Sequence, residues 1–334
     1  MRRLRIFTWH IHGNYLWYLA RTGHDFFLPV KSDGAPGYGG RGSTFPFGDR
    51  VHDVPFDDVR RCQFDCILFQ HRENFLRDQH DVLSPAQRRL PRIYLEHDPP
   101  LDHPTDQRHW FQDPGGLLVH VTPFNALMWD SGPTPTRVIE HGVPLHPHVR
   151  YTGEIPRGLV VINNLGTRGR RLGPDVFEEA RRHVPLDLVG MGSEALGGLG
   201  EIQPTQLAAF EARYRFLFNP IRYTSLGLAV CEAMMLGMPV VGLATTEMAT
   251  AVVDGITGYV DTWLDRLIPR MKTLLDDPAE ARRLGQNAGR YAQERFSIER
   301  FVNQWNSVLA ETTQLSQPTL EERQRHVASY CASQ

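Results

Sequence analysis

The chain has 334 residues, with 36 Lys and Arg against 38 Asp and Glu, and a net charge of −2. That balance leaves no basic face for nucleic acid or an anionic bilayer. With 41% hydrophobic and 22% charged residues the composition is that of a folded globular protein, and the length calls for two domains.

Met1-Arg2-Arg3 leads into a strand-like run over 5–10 rather than a signal peptide's apolar segment, so a cytoplasmic location is expected. Residues 15–21 read as a helix and 25–30 as a second strand. The glycine-rich stretch 31–48 reads as a long surface loop of the kind that carries function. Strands over 64–70 and 92–96 flank a helix over 74–89, and strands over 117–122 and 136–140 complete a first domain, 1–150. Residues 142–156, rich in Pro and Gly, read as the linker. A second domain, 151–310, repeats the pattern with strands over 158–163, 186–189 and 214–218 and a helix over 174–182. Helical periodicity runs from 263 to 309, and 319–330 is amphipathic. Alternating strands and helices at this spacing argue two doubly wound parallel sheets. No apolar run reaches the roughly eighteen residues of a membrane span. Cys62, Cys66, Cys231 and Cys331 fit no zinc spacing and are assigned no chemistry.

The most informative stretch is 223–261. It reads as a polar loop opening a helix, a stop, a buried strand, a short helix and another strand. Thr224 and Ser225 are expected to cap the helix start, where backbone N–H groups suit a phosphate. Gly227 lets a ligand approach the backbone, Glu232 lies one to two turns into the helix, and Gly237 ends it. Residues 239–243 read as a strand buried on both faces.

This stretch resembles the donor-binding heart of the GT-B glycosyltransferases, in particular the large retaining family 4, also called glycosyl transferases group 1. Gly227-Leu228, Glu232-Ala233-Met234, Gly237-Met238-Pro239-Val240-Val241 and Asp254-Gly255-Ile256-Thr257-Gly258 stand where that family's pattern wants them. Ser225 and Leu226 replace a Gly and a Phe. The family's first acidic residue, which touches the donor sugar, falls here on Thr224. The resemblance implies two Rossmann-like domains facing a cleft, the first for acceptor and the second for a nucleoside-diphosphate sugar, with the C-terminal segment 311–334 crossing back to the first domain.

Other stretches take roles from the same resemblance. His97 ends a strand, where the family carries a histidine facing the donor sugar. Gly13, in the loop after the first strand, corresponds to a glycine near the donor phosphates. Arg168 and Arg171, after the first strand of the second domain, stand for a pyrophosphate clamp. Gly190-Met191-Gly192-Ser193-Glu194-Ala195 is a weak dinucleotide fingerprint that the family's glycine loop explains better, and Glu201-Ile202 lies where the nucleobase is contacted. His97, His103 and His109 recur every six residues, but that spacing matches no known zinc pattern.

The reading is a retaining hexosyltransferase, with no cofactor or metal beyond the donor substrate and with an unidentified acceptor: a glycan, a lipid carrier or a small metabolite. His97 and Thr224 are its candidate catalytic positions. Glu232 would hold the ribose, and Ser225, Leu226, Gly227 and Leu228 the diphosphate. A catalytically silent GT-B binding protein, a GT-B epimerase or phosphorylase, and an NAD-dependent oxidoreductase are the alternatives.

Overall fold

A computed structural model describes residues 2–315. The first half forms β1 (Arg5–Thr8), β2 (Asp25–Val30), β3 (Val51–Pro55), β4 (Cys66–Phe69), β5 (Arg92–Glu96), β6 (Leu117–His120) and β7 (Thr136–Val138). They make one sheet in the order β3-β2-β1-β4-β5-β6-β7. The second half forms β8 (Ile155–Val161), β9 (Leu186–Val189), β10 (Tyr214–Asn219), β11 (Val240–Leu243) and β12 (Gly258–Asp261), in the order β12-β11-β10-β8-β9. Every pairing between these strands is parallel. The central strands β4, β6, β10 and β11 are buried throughout, as parallel strands covered on both faces must be.

Three local expectations are corrected. The helix expected over 74–89 is broken into a π-helical turn (Asn74–Asp78), a short helix (Gln79–Val82) and a 3-10 turn (Gln87–Arg89). The break is a capping box: Ser84 N–H donates to Gln87 Oε1 while Gln87 N–H donates to Ser84 Oγ, so the chain restarts with Pro85 in its first turn. Strand β3 was not expected at all. It sits at the sheet edge, ends in Pro55 and buries only Val51 and Val54, so its apolar signal is weak. The stretch read as a linker over 142–156 in fact contains the start of β8 at Ile155.

The two halves share a core. One buried cluster runs from Ile6, Tyr15 and Leu95 through Val143 and Leu226 to Met234, Phe301 and Trp305. The helix Ile298–Leu315 closes the seam between them: Trp305 Nε1 donates to Tyr15 Oη at 3.0 Å, and Phe301 packs edge-on to Tyr15. The segment expected to cross back, 311–334, lies mostly outside the described residues, and the contact is made by the helix before it.

The helix Leu228–Met235 is held down by a glycine contact. Gly237, in a left-handed conformation at φ 79°, ends it, and a Cβ on Gly285 of the helix Pro278–Arg295 would run into the Gly237 carbonyl oxygen. Gly289, one turn on, has no neighbour closer than 3.5 Å to such an atom. Gly285→Ala should therefore destabilise the protein by about 1–3 kcal/mol through overpacking. Gly289→Ala should be neutral or slightly stabilising, because alanine favours the helix. Thermal melts of the two variants side by side check the contrast; equal effects would mean that the close approach is not what matters.

Candidate functional site

Both sheets reverse their strand order once, between β1 and β4 in the first and between β8 and β10 in the second. Ligands bind open parallel sheets beyond the carboxyl ends of strands at such switch points. The loops there hold the two clusters that face each other across the cleft.

On the second domain's lip, the loop after β8 carries Arg168 and Arg171. Gly173, at φ 75°, ends this loop where a side chain would strike the Pro220 carbonyl. The loop is anchored from β10's side: the N–H groups of Arg222 and Tyr223 both donate to the Arg171 carbonyl, and the Arg222 guanidinium grips Asp175 with two nitrogens at 2.5 and 2.8 Å. Arg171 Nη1 is buried without a hydrogen bond, 3.9 Å from Asp98 Oδ1 of the opposite domain. Burial and the neighbouring Arg171 guanidinium lower the pKa of Arg168. Two guanidinium groups facing one carboxylate leave this lip with a positive charge to spare.

On the first domain's lip, His97 follows β5 and its ring lies 3.8 Å from that of His12, which precedes the helix Gly13–Leu19. Tyr15 packs edge-on to both His97 and His141. Burial is the main cause that pushes all three histidines down, His12 and His141 to about 4 and His97 well below its ordinary value. They are neutral at pH 7, so the cleft's positive charge comes from arginine. His97 Nε2 is buried and unbonded, whereas His141 Nε2 donates to the Leu226 carbonyl at 2.7 Å.

That bond seats the loop leading into the helix Leu228–Met235. Ser225 and Leu226 are buried; Gly227 precedes the helix with open space above its Cα. The expected side-chain cap is absent: neither Thr224 nor Ser225 caps this helix, and Gly227 occupies the N-cap. The loop is too extended for a hydroxyl two or three residues upstream to turn back, so the first-turn N–H groups have no side-chain cap. Thr224 is half-buried beside Tyr223, whose hydroxyl crosses the cleft to the Pro100 carbonyl at 3.0 Å.

Glu232 is engaged elsewhere. Its Oε1 accepts from Asn14 Nδ2 at 2.8 Å and from the Tyr18 hydroxyl at 2.6 Å. Burial, then the Glu232 charge, raises the Tyr18 pKa. Glu201 is exposed on the loop after β9 and Ile202 half-buried against the core. Above Gly13 the room for a side chain is filled by the Phe45 ring of the long loop. Of the three histidines at six-residue spacing, His97 joins the cleft, His109 is buried against Glu96 Oε2 at 2.9 Å, and His103 is exposed.

Sequence reasoning gave no site role to Asp98, His141, Asn14, Tyr18 or Tyr223. The signal for Asp98 and His141 was their place just beyond strand ends; the others have none, because they matter only once the domains meet. It also passed over Glu211, the last residue of the helix Pro204–Glu211, which is buried with both carboxylate oxygens unbonded near Glu232.

The fold is that of the GT-B glycosyltransferases. Sucrose-phosphate synthase from Thermosynechococcus elongatus superposes with a TM-score of 0.66 over 94% of this chain and 100% of that one, at 17% identity. Anabaena HepE in complex with UDP gives 0.63 over 93% and 100%, at 14% identity. Residues 175–277 match the family described as Glycosyl transferases group 1, and that stretch is what the chain shares with it. A D-inositol 3-phosphate glycosyltransferase of Corynebacterium aurimucosum is 27% identical over 186 residues, 52% of this chain and 42% of that protein. A trehalose synthase of Pyrococcus horikoshii is 29% identical over 40% of this chain and 31% of its own. The chain thus matches less than half the length of these curated relatives. Among the described residues, no helix is long and apolar enough to cross a membrane.

Glu211 generates a test of the site's electrostatics. Burial raises its pKa well above the usual carboxyl range, with the Glu232 charge adding to it. The folded state therefore keeps a proton that the unfolded chain releases near pH 4.3. The stability this confers is full below that pH and falls by about 1.4 kcal/mol per pH unit as pH rises toward the folded pKa. Glu211→Gln should remove that slope, making the variant the more stable protein at pH 8. Urea melts from pH 5 to 8 check it; parallel curves for the two proteins would refute a buried proton here.

Proposed function

We propose that the protein is a retaining glycosyltransferase that moves a hexosyl group from a nucleoside-diphosphate sugar to an acceptor held by the first domain. The observation that carries this reading is the pair of strand-end clusters across one cleft, with the unbonded Arg171 guanidinium on one lip and the unbonded His97 Nε2 on the other. Arg168, Arg171 and the N–H groups from Ser225 to Leu228 neutralise the leaving diphosphate, the electrostatic contribution that usually dominates such transfers. Glu201 and Ile202 flank the nucleobase. Glu232 holds the ribose hydroxyls, which replace its bonds to Asn14 and Tyr18. His97, neutral at pH 7, meets the donor sugar. No carboxylate is assigned as a covalent nucleophile, so displacement proceeds on one face of the sugar with the leaving phosphate accepting the acceptor's proton. The two arginines supply the charge for this, and no metal is assigned a role. HepE was solved with UDP, which makes uridine diphosphate the first candidate to try.

Thermal melts with a panel of nucleoside diphosphates and their sugars test the reading. A ligand at a hundred times its Kd adds about 2.7 kcal/mol. Arg171→Ala and Arg168→Ala should each weaken the stabilising diphosphate by roughly 10- to 100-fold, the value of a charge-assisted hydrogen bond. No stabilisation by any diphosphate, or unchanged affinity in both variants, would sink the donor site.

A second reading, a silent nucleotide-binding protein, is favoured by one observation. Thr224 stands where an acidic residue touches the donor sugar in the proteins it resembles. Thr224→Glu separates the two: turnover that appears only in the variant marks a degenerate site, whereas wild-type turnover that the variant lowers marks a working one.

A further inference from the structure

Glu232 is the carboxylate of the helix Leu228–Met235, and among the described residues the hydrogen bonds to its side chain come from the opposite domain. Its Oε1 accepts from Asn14 Nδ2 at 2.8 Å and from the Tyr18 hydroxyl at 2.6 Å. The two donors stand four residues apart on the helix Gly13–Leu19, a spacing that puts them on one face. Tyr15, Leu16 and Leu19 bury that helix in the core, and Tyr15 takes the Trp305 bond, so the pair is held in place before any ligand arrives. Tyr18 is itself buried, and burial, then the Glu232 charge, raises its pKa. Its hydroxyl therefore keeps its proton and donates.

Glu232 lies four residues along the helix from Leu228, a rise of about 6 Å from the N–H groups assigned to the diphosphate. A ribose joined to that diphosphate meets the carboxylate with its 2′- and 3′-hydroxyls. The bonds from Asn14 and Tyr18 are too short to admit a hydroxyl between the partners, so a ribose that binds Oε1 must displace them. Two hydrogen bonds to a charged oxygen are then exchanged for two others, and the exchange yields little affinity. To an unpaired carboxylate, each such bond is worth roughly ten- to a hundredfold. A 2′-deoxyribose, with its 3′-hydroxyl alone, displaces one resident bond and leaves the other in place. The two sugars thus come out nearly even.

We infer that Asn14 and Tyr18 set the pentose specificity of the donor site. By satisfying Glu232 from the first domain they cancel most of the advantage of a 2′-hydroxyl, so 2′-deoxyribonucleoside diphosphates bind nearly as well as ribonucleoside diphosphates. This rests on the reading of Glu232 as the ribose carboxylate.

Isothermal titration of the purified protein tests this without turnover. The diphosphates of uridine, guanosine and adenosine are each compared with their 2′-deoxy forms, which share base and phosphates. For the base that binds best, the two Kd values should agree within about threefold. Asn14→Ala combined with Tyr18→Phe frees the carboxylate and keeps the ring that stacks on Trp17. The ribonucleotide should then bind about tenfold tighter than it does to the wild type. Its deoxy form should gain less, and adding Glu232→Gln to the double variant should erase the difference between the two sugars. A wild-type protein that prefers the ribonucleotide by about tenfold or more, or a double variant that binds it no more tightly, would overturn the inference and leave the donor site standing. Binding of no nucleoside diphosphate at all would count against the donor site itself, and the inference would fall with it. The wild-type comparison uses no substitution, so a variant that fails to fold does not blunt the test.

Discussion

One guanidinium holds the two halves of this molecule in register. Arg295, at the end of the helix Pro278–Arg295, reaches Glu140 just beyond β7 at 2.6 Å and Glu247 just beyond β11 at 2.7 Å. The other oxygen of Glu247, a buried residue, accepts the Phe124 N–H of the first domain. A cation so enclosed is expensive to desolvate, and the two carboxylates, with the Thr250 carbonyl and the Tyr291 hydroxyl, make its position tolerable. The next contacts depend on it. Arg300 binds the carbonyls of Glu140 and His141, and His141 then donates to Leu226. The loop from Ser225 to Leu228 is thus positioned from the opposite domain, through a histidine whose own place is set at the seam.

This dependence explains what could and could not be read beforehand. The strands over 25–30, 92–96 and 186–189 were legible to the residue, because each is a buried apolar run bounded by polar turns. The helix Leu228–Met235 and its stop at Gly237 were legible because a left-handed terminus calls for glycine. The edge strand β3 was not, since only Val51 and Val54 of it are buried. The arginine loop after β8 and the histidine after β5 could be placed because strand ends are local features. The partners of Glu232 could not: Asn14 and Tyr18 lie more than two hundred residues away in sequence, and nothing in the pattern of either helix records that they meet. The capping box at Ser84 and Gln87 was written in the sequence and lost among the surrounding helix-forming residues.

The cleft divides its charge unevenly. Burial keeps His12, His97 and His141 neutral, so the first domain's lip offers hydrogen-bonding nitrogens without positive charge. The second domain's lip offers two guanidinium groups in partial contact with a single carboxylate, Asp98. An anion entering the cleft is drawn toward the arginine lip.

Thr224 belongs in that balance. The Tyr223 N–H beside it sits on the Arg171 carbonyl, so an acidic side chain at 224 would lie close to the clamp on the arginine lip. With threonine there, the carboxylate nearest Arg171 comes instead from Asp98 on the opposite domain. That pair spans the cleft, and a diphosphate binding Arg171 would have to displace it.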